Sequence, residues 1–345
     1  MRILCFVDWP VATKWIWDYL PDCRDTVDFV TITTPPDRFP GYGKLLAYYP
    51  RYIALGLKAW PRLRHYDLAV AWEGKNGVPL AFLRRLLGPR HPPMVILNFV
   101  LKGRVVLDFL GLIRFAMHSV DHIAVVSRRE IEHYSRELRL PRERFSQLLT
   151  GWPDHYGPRA PGTPTGGYFL AAGRSHRDYG TLFQAVRDLP VRGVVNARSF
   201  NLRGLEAPPN VTVNSFLPRP AFQELMYHAD FAVLPLFAAQ HASGETFLLE
   251  AMSACKAVIA TETYSTVEFI TSGKNGLLVP PGDAEAMRRA IAYLASHPKQ
   301  AREMGLAARR FYERNCSMPV YAQKAQRLFQ AVIESSIKEK ARGSE

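Results

Sequence analysis

Short apolar runs recur along the chain, with helical stretches between them. RILCFV, VDFVTI, DLAVAW, MVILNF and HIAVVS fill the first half; GYFLAAG, RGVVNA, VTVNSF, FAVLPL, KAVIAT and GLLVP fill the second. These runs are nearly continuous in Val, Ile, Leu, Phe and Ala rather than alternating with polar residues. That pattern predicts parallel strands covered by helices on both faces. Two such sets predict two doubly wound α/β domains. Residues 151–167, GWPDHYGPRAPGTPTGG, are too dense in Gly and Pro for a helix or a central strand, and they predict the linker. The expected domains are 1–155 and 156–319. An amphipathic helix at about 320–340 follows and is expected to pack back on the first domain.

Composition fits this picture and narrows the chemistry. The chain has 345 residues, too many for one comfortable core and suited to two. Cys5, Cys23, Cys255 and Cys316 form no C-x-x-C pair, so they read as free thiols in a reducing compartment. The first residues, MRILCFVDWP, read as a strand and not as a signal peptide, and no later stretch is long and apolar enough to span a bilayer. A cytoplasmic protein is expected. The net charge of +13 favours an anionic partner: nucleic acid, anionic lipid or a phosphorylated small molecule. Arg38 to Tyr66 carries six basic residues and no acidic one, with tyrosines and Trp60 between the charges. This suits an anionic membrane surface or a lipid-diphosphate acceptor. It equally suits a cationic helix pair that covers the sheet and turns its aromatics into the core.

The most informative segment is 241–252, HASGETFLLEAM. A loop of small and polar residues, Ala242, Ser243 and Gly244, runs into a helix, with Ser243 as the expected N-cap. Glu245 and Thr246 then sit in the first turn, where unpaired backbone N–H groups and the helix dipole favour an anion such as a diphosphate. Glu250 follows four residues after Thr246 and projects near the same end. A carboxylate there suits the vicinal hydroxyls of a ribose.

Residues 243–283 resemble the nucleotide-sugar half of the family-4 retaining glycosyltransferases of GT-B fold. The resemblance lies in LLEAM, then VIAT, then E-x-I-x-x-G-x-N-G-L-L-V-P-P-G-D from Glu268 to Asp283. It extends weakly over most of 168–295 through FAVLPL and GRSHRDY. It implies two Rossmann-like domains facing across a cleft, and glycosyl transfer from a nucleotide-diphosphate-sugar to an acceptor hydroxyl with retention. It implies donor contacts at Gly173, Arg174, Ser243, Gly244, Thr246, Phe247 and Glu250, with Arg174 on the phosphates. Four positions depart from the family. Ala242 stands where a first glutamate is usual, eight before Glu250; Tyr179 replaces a lysine; Cys255 and Ala257 replace a glycine and a proline. Glu245 and Arg177 are the expected substitutes, so Glu245, Arg174 and Arg177 form the candidate catalytic set.

The first domain is less informative. Glu73, Lys75 and Asn76 in WEGKNG, with Asn98, Lys102 and Arg104, are candidates for the acceptor side and equally read as ordinary loop residues. His118 and His122 read as core or capping histidines. No D-x-D triplet occurs, so no metal is expected; helix N-terminus and arginine would do its work. No resident cofactor is expected, because the nucleotide-sugar is a substrate. Cell-surface glycan or glycolipid synthesis at the inner membrane face is the expected setting. Two other classes remain open: a nucleotide-sugar epimerase of the same architecture, and a non-catalytic nucleotide-sugar binder. A dehydrogenase is disfavoured, since no G-x-G-x-x-G follows a strand.

Overall fold

The structure is a computed structural model. It describes residues 1–8, 15–20, 25–31, 42–88, 91–101, 108–157, 165–215 and 217–342, the side chains of 42–49 and 340 excepted. The chain forms two compact units, Met1–Leu149 with Tyr321–Glu345, and Thr150–Val320. The division falls a few residues before the boundary expected from the Gly/Pro-rich stretch.

The first unit is a parallel sheet of β1 (Arg2–Val7), β2 (Thr26–Thr31), β3 (Leu68–Trp72), β4 (Met94–Leu97), β5 (His122–Val125) and β6 (Phe145–Gln147), in the order β2-β1-β3-β4-β5-β6. Helices α1 (Tyr42–Leu63), α2 (Glu73–Leu87), α3 (Leu110–Met117) and α4 (Arg128–Leu138) connect the strands. β4 is buried along its whole length, as an apolar central strand must be. Ala59, Leu63, Leu80, Ile96, Met117 and Tyr134 meet in one core. β6 has no counterpart among the sequence-predicted strands: it is three residues long, polar at Ser146 and Gln147, and lies at the sheet edge. Ser127 and Glu130 close a capping box at the start of α4, which orients that helix as it leaves β5.

The second unit has β7 (Tyr168–Ala172), β8 (Arg192–Asn196), β9 (Val211–Asn214), β10 (Phe231–Leu234), β11 (Val258–Thr261) and β12 (Gly276–Val279). Their order is β12-β11-β10-β7-β8-β9, all parallel. The helices are α5 (Tyr179–Val186), α6 (Arg219–His228), α7 (Glu245–Ser253), α8 (Thr266–Phe269), α9 (Ala284–Ser296) and α10 (Pro298–Asn315). The strand order reverses between β7 and β10, which makes the loops after these two strands the switch point of the sheet.

The last helix, α11 (Met318–Arg342), passes from the second unit into the first. There Phe329 is fully buried and stacks on Trp17 at 5.9 Å, and Gln326 bonds Asp25. Cys5, Cys255 and Cys316 are free thiols; Cys23 lies outside the described residues. Among the described residues no helix is long and apolar enough to cross a membrane.

Candidate active site

The two loops at the switch point of the second unit carry most of the sequence-predicted residues. After β7 come Gly173, Arg174 and Arg177; after β10 come Ser243, Gly244 and α7. Backbone hydrogen bonds join the loops: Asp178 N–H donates to Pro235 O at 3.1 Å, and Phe237 N–H donates to His176 O at 3.1 Å. The His176 and His241 rings meet edge to face at 4.6 Å across the same seam.

The N-cap of α7 is Gly244 and not Ser243. The chain turns into the helix through a left-handed residue, φ 95°, a conformation that glycine alone adopts without strain. A Cβ at Gly244 would also stand 3.1 Å from Leu234. Ser243 is therefore displaced from the capping position. Its hydroxyl is buried with no hydrogen-bond partner among the described residues, beside the outward-pointing N–H groups of the first turn. Thr246 is exposed at this end, and Phe247 is turned into the core.

Arg174 is exposed, and its backbone carbonyl accepts from Asn201. Arg177 behaves differently. Its guanidinium is folded back into its own loop, donating to Ala172 O at 2.8 Å and Ser175 O at 2.7 Å. Gly173, φ 122°, gives it room: a Cβ there would lie 2.3 Å from the guanidinium. Burial lowers the Arg177 pKa, opposed by Tyr179 and Glu245. The structure thus brings Glu245 and Arg177 into one electrostatic neighbourhood, with Arg177 supporting the loop that presents Arg174. Tyr179 is fully buried and donates to Gly173 O at 2.8 Å, which fixes the same turn.

Glu250 is only 1% exposed. Its carboxylate accepts from Trp152 Nε1 at 2.7 Å, Tyr156 hydroxyl at 2.6 Å and Arg219 at 2.9 Å. Burial raises the Tyr156 pKa, and the hydrogen bond to Glu250 raises it further. The Arg219 guanidinium lies 5.5 Å over the Trp152 ring. Sequence reasoning missed all three partners. Both aromatics, Trp152 and Tyr156, lie in the Gly/Pro-rich stretch that reads as a linker, and both belong to the second unit. Two aromatics within a Gly/Pro-rich stretch were the available signal. Asp154 between them is bound by Arg309, whose guanidinium also reaches Ser253 O in α7.

In the first unit, Asp8, Glu73 and Asn98 follow β1, β3 and β4 at the carboxyl ends of adjacent strands. Strand order reverses between β1 and β3, so this too is a switch point. Lys75 bonds Asp8 at 2.7 Å and Glu73 at 3.0 Å. Burial opposes its charge, but the Glu73 and Asp8 carboxylates outweigh burial and raise its pKa. Glu73 and Asn98 both have positive φ, 62° and 51°, the kind of backbone strain that collects at binding sites. Asn76 is committed elsewhere: it is buried and donates to Trp72 O. Lys102 and Arg104 lie outside the described residues. His122 bonds Ser146 at 2.8 Å, and exposed His118 ends α3. Among the described residues no group of three or more His, Cys, Asp or Glu could hold a metal ion.

Residues 198–311, within the second unit, match the family described as Glycosyl transferases group 1. D-rhamnosyltransferase WbpZ of Pseudomonas aeruginosa is 27% identical over 256 residues, 66% of this chain. The matched part spans 64% of that curated relative's length. Among solved structures, sucrose-phosphate synthase from Thermosynechococcus elongatus superposes with a TM-score of 0.76, at 16% identity. The match covers 97% of this chain and 100% of the synthase. HepE of Anabaena, solved in complex with UDP, gives a TM-score of 0.69 at 15% identity, with 96% and 100% covered. The fold is that of the GT-B glycosyltransferases.

Proposed function

We propose that this protein is a retaining glycosyltransferase that moves a sugar from a nucleotide-diphosphate-sugar to an acceptor hydroxyl, without a metal ion. The observation that carries the reading is the meeting, at one switch point, of the α7 N-terminus, the buried unpartnered Ser243 hydroxyl and the loop bearing Arg174. A diphosphate satisfies all three. The helix end and the hydroxyl offer hydrogen bonds, and the arginine fork pairs phosphate oxygens. Glu250 then lies where a ribose arrives.

In the transfer, the bond from the anomeric carbon to the diphosphate oxygen breaks and its electron pair leaves with the diphosphate. The acceptor oxygen bonds to the same carbon on the same face, and its proton passes to the departing diphosphate. Stabilising that leaving charge is the largest contribution the protein makes. Arg174 and the helix end supply it, with Arg177 holding the loop. Glu245, near Arg177, takes over part of the work of the glutamate absent at Ala242. Asp8, Glu73 and Lys75 supply acceptor contacts at the other switch point. The acceptor belongs to cell-surface glycan or glycolipid synthesis, and the protein works at the cytoplasmic face of the membrane.

The test is a panel of nucleotide-sugars scored first for a raised thermal midpoint and then for turnover. UDP-glucose and a nucleotide-diphosphate D-rhamnose belong in it, given the UDP held by HepE and the sugar in the name of WbpZ. A ligand at about 100 times its dissociation constant adds about 2.7 kcal/mol. No shift with any member overturns the donor reading. A shift with sugar transfer to no acceptor leaves a binding protein, and altered sugar stereochemistry without transfer leaves an epimerase.

A further inference from the structure

Glu250 already holds three donors where the proposed role asks it to receive two ribose hydroxyls. Oε1 accepts from Tyr156; Oε2 accepts from Trp152 and from Arg219. A carboxylate offers about four acceptor positions, two on each oxygen. One position remains on Oε1 and none on Oε2. A vicinal diol that bridges the carboxylate needs one position on each oxygen, so a partner of Oε2 has to leave.

Trp152 is not that partner. Its backbone N–H donates to Cys316 O at 2.9 Å, and its carbonyl accepts from Tyr312 hydroxyl at 2.8 Å. Its backbone is thereby held on both sides, and moving its indole off Glu250 costs a buried hydrogen bond. Arg219 is held by nothing comparable. It opens α6, its side chain is 45% exposed, and its head rests on the Trp152 ring. Rotation about its side-chain torsions carries the charge into water without breaking a backbone contact. Long side chains of this kind keep their charge hydrated while their stems stay packed.

We infer that Arg219 holds the position on Glu250 that a ribose hydroxyl needs, and that the two exchange when the donor binds. Arg219 is then a specificity-determining residue: it sets how much the ribose hydroxyls add to affinity, because each nucleotide must displace it. Trp152 and Tyr156 stay and orient the carboxylate plane. The inference rests on the proposed role of Glu250 as ribose acceptor.

The experiment is calorimetry of the full chain with UDP and GDP, each against its 2′,3′-dideoxy form. The readout is the ratio of dideoxy to ribo dissociation constants, which cancels any general effect of the arginine charge on the diphosphate. The wild type gives a ratio of about 10, because the gain from the hydroxyls is offset by the lost Arg219 bond. Arg219→Ala raises the ratio about tenfold, the amount a charged hydrogen bond supplies. Arg219→Lys, which keeps a charge but loses the fork, falls between and decides the matter if the alanine variant does not fold. A ratio in these variants at or below that of the wild type overturns the exchange. So does a wild-type ratio above about a thousand, the value for two unopposed charged bonds. Glu250→Ala brings the ratio near one. If it keeps the wild-type ratio instead, the role of Glu250 fails and not merely the exchange; if neither nucleotide binds the wild type, the donor reading fails.

Discussion

At the scale of single residues, burial decides what a charged or titratable group can do. A carboxylate as enclosed as that of Glu250 persists only with donors around it. Glu250→Ala leaves the Trp152 N–H, the Tyr156 hydroxyl and Arg219 without their acceptor. We expect it to weaken donor binding at least about tenfold and to lower stability by about 2 kcal/mol. Glu250→Gln keeps the shape and costs less of both. Glu245→Gln should lower turnover more than donor affinity; unchanged turnover would reduce Glu245 to a helix-dipole partner worth about 0.3–1 kcal/mol. Calorimetry and initial rates separate these outcomes. His122 gives an independent prediction. Burial lowers its pKa from 6.5 to about 4, against a smaller opposing effect of Asp121. The unfolded chain therefore binds a proton below pH 6.5 that the folded one refuses until about pH 4. Stability from this group is complete above pH 6.5 and is lost as pH falls to 4, by about 3 kcal/mol in total. His122→Gln should flatten the melting temperature over that interval; an unchanged slope would show that other groups carry the acid sensitivity. The sequence reads His122 as a core or capping histidine, but the chain around a residue, and so its titration, is set by tertiary neighbours.

At the scale of elements, what could be read from sequence was what is local. The apolar strands announced themselves because a central parallel strand needs both faces apolar. β6 did not, since an edge strand of three residues has no such need. The helix at α7 was legible from its motif, but its cap was not. Ser243 is the residue type that usually caps, and only the left-handed turn at Gly244 shows why it does not here. The partners of Glu250 were illegible for a different reason: they lie 98, 94 and 31 residues away and share no period with it. The cap yields its own prediction. Gly244→Ala puts an L-residue into the left-handed region and a methyl against Leu234. A cost of about 2 kcal/mol is expected, with a matching fall in thermal midpoint. Donor affinity should fall with it, since the displaced turn carries the N–H groups proposed to meet the phosphates. A variant as stable as the wild type that binds donor equally well would remove the N-terminus of α7 from the site.

At the scale of the whole molecule, the aromatics and the charges of the basic segment 38–66 separate. Tyr52 and Tyr66 are buried and the half-buried Trp60 packs against the core of the first unit, so these three rings do not face a bilayer. The charges of the segment do face outward: Arg51, Lys58, Arg62 and Arg64 are exposed. Around them, Leu57, Leu86, Leu87, Leu112 and Phe115 are exposed on α1, α2 and α3, which pack side by side. Arg85 lies 5.3 Å over the Phe115 ring. A surface of this composition should bind anionic vesicles reversibly, and less so as salt shortens the screening length to about 8 Å at 0.15 M. Sedimentation with anionic and neutral vesicles checks it: equal binding to both, or to neither, excludes the charge mechanism. Activity should also survive excess chelator, because in the proposed site the phosphates meet a helix end and an arginine; loss restored by magnesium would place a metal at the donor.

The last helix has a consequence for the order in which the molecule is built. The second unit is one uninterrupted length of chain, Thr150–Val320, while the first is closed only when Tyr321 onward returns to it. On the ribosome the first unit emerges early, with Trp17 and the Asp25 edge lacking Phe329 and Gln326. The unit synthesised second is therefore the first that can be finished. The unit synthesised first waits, partly open, for the turns of α11.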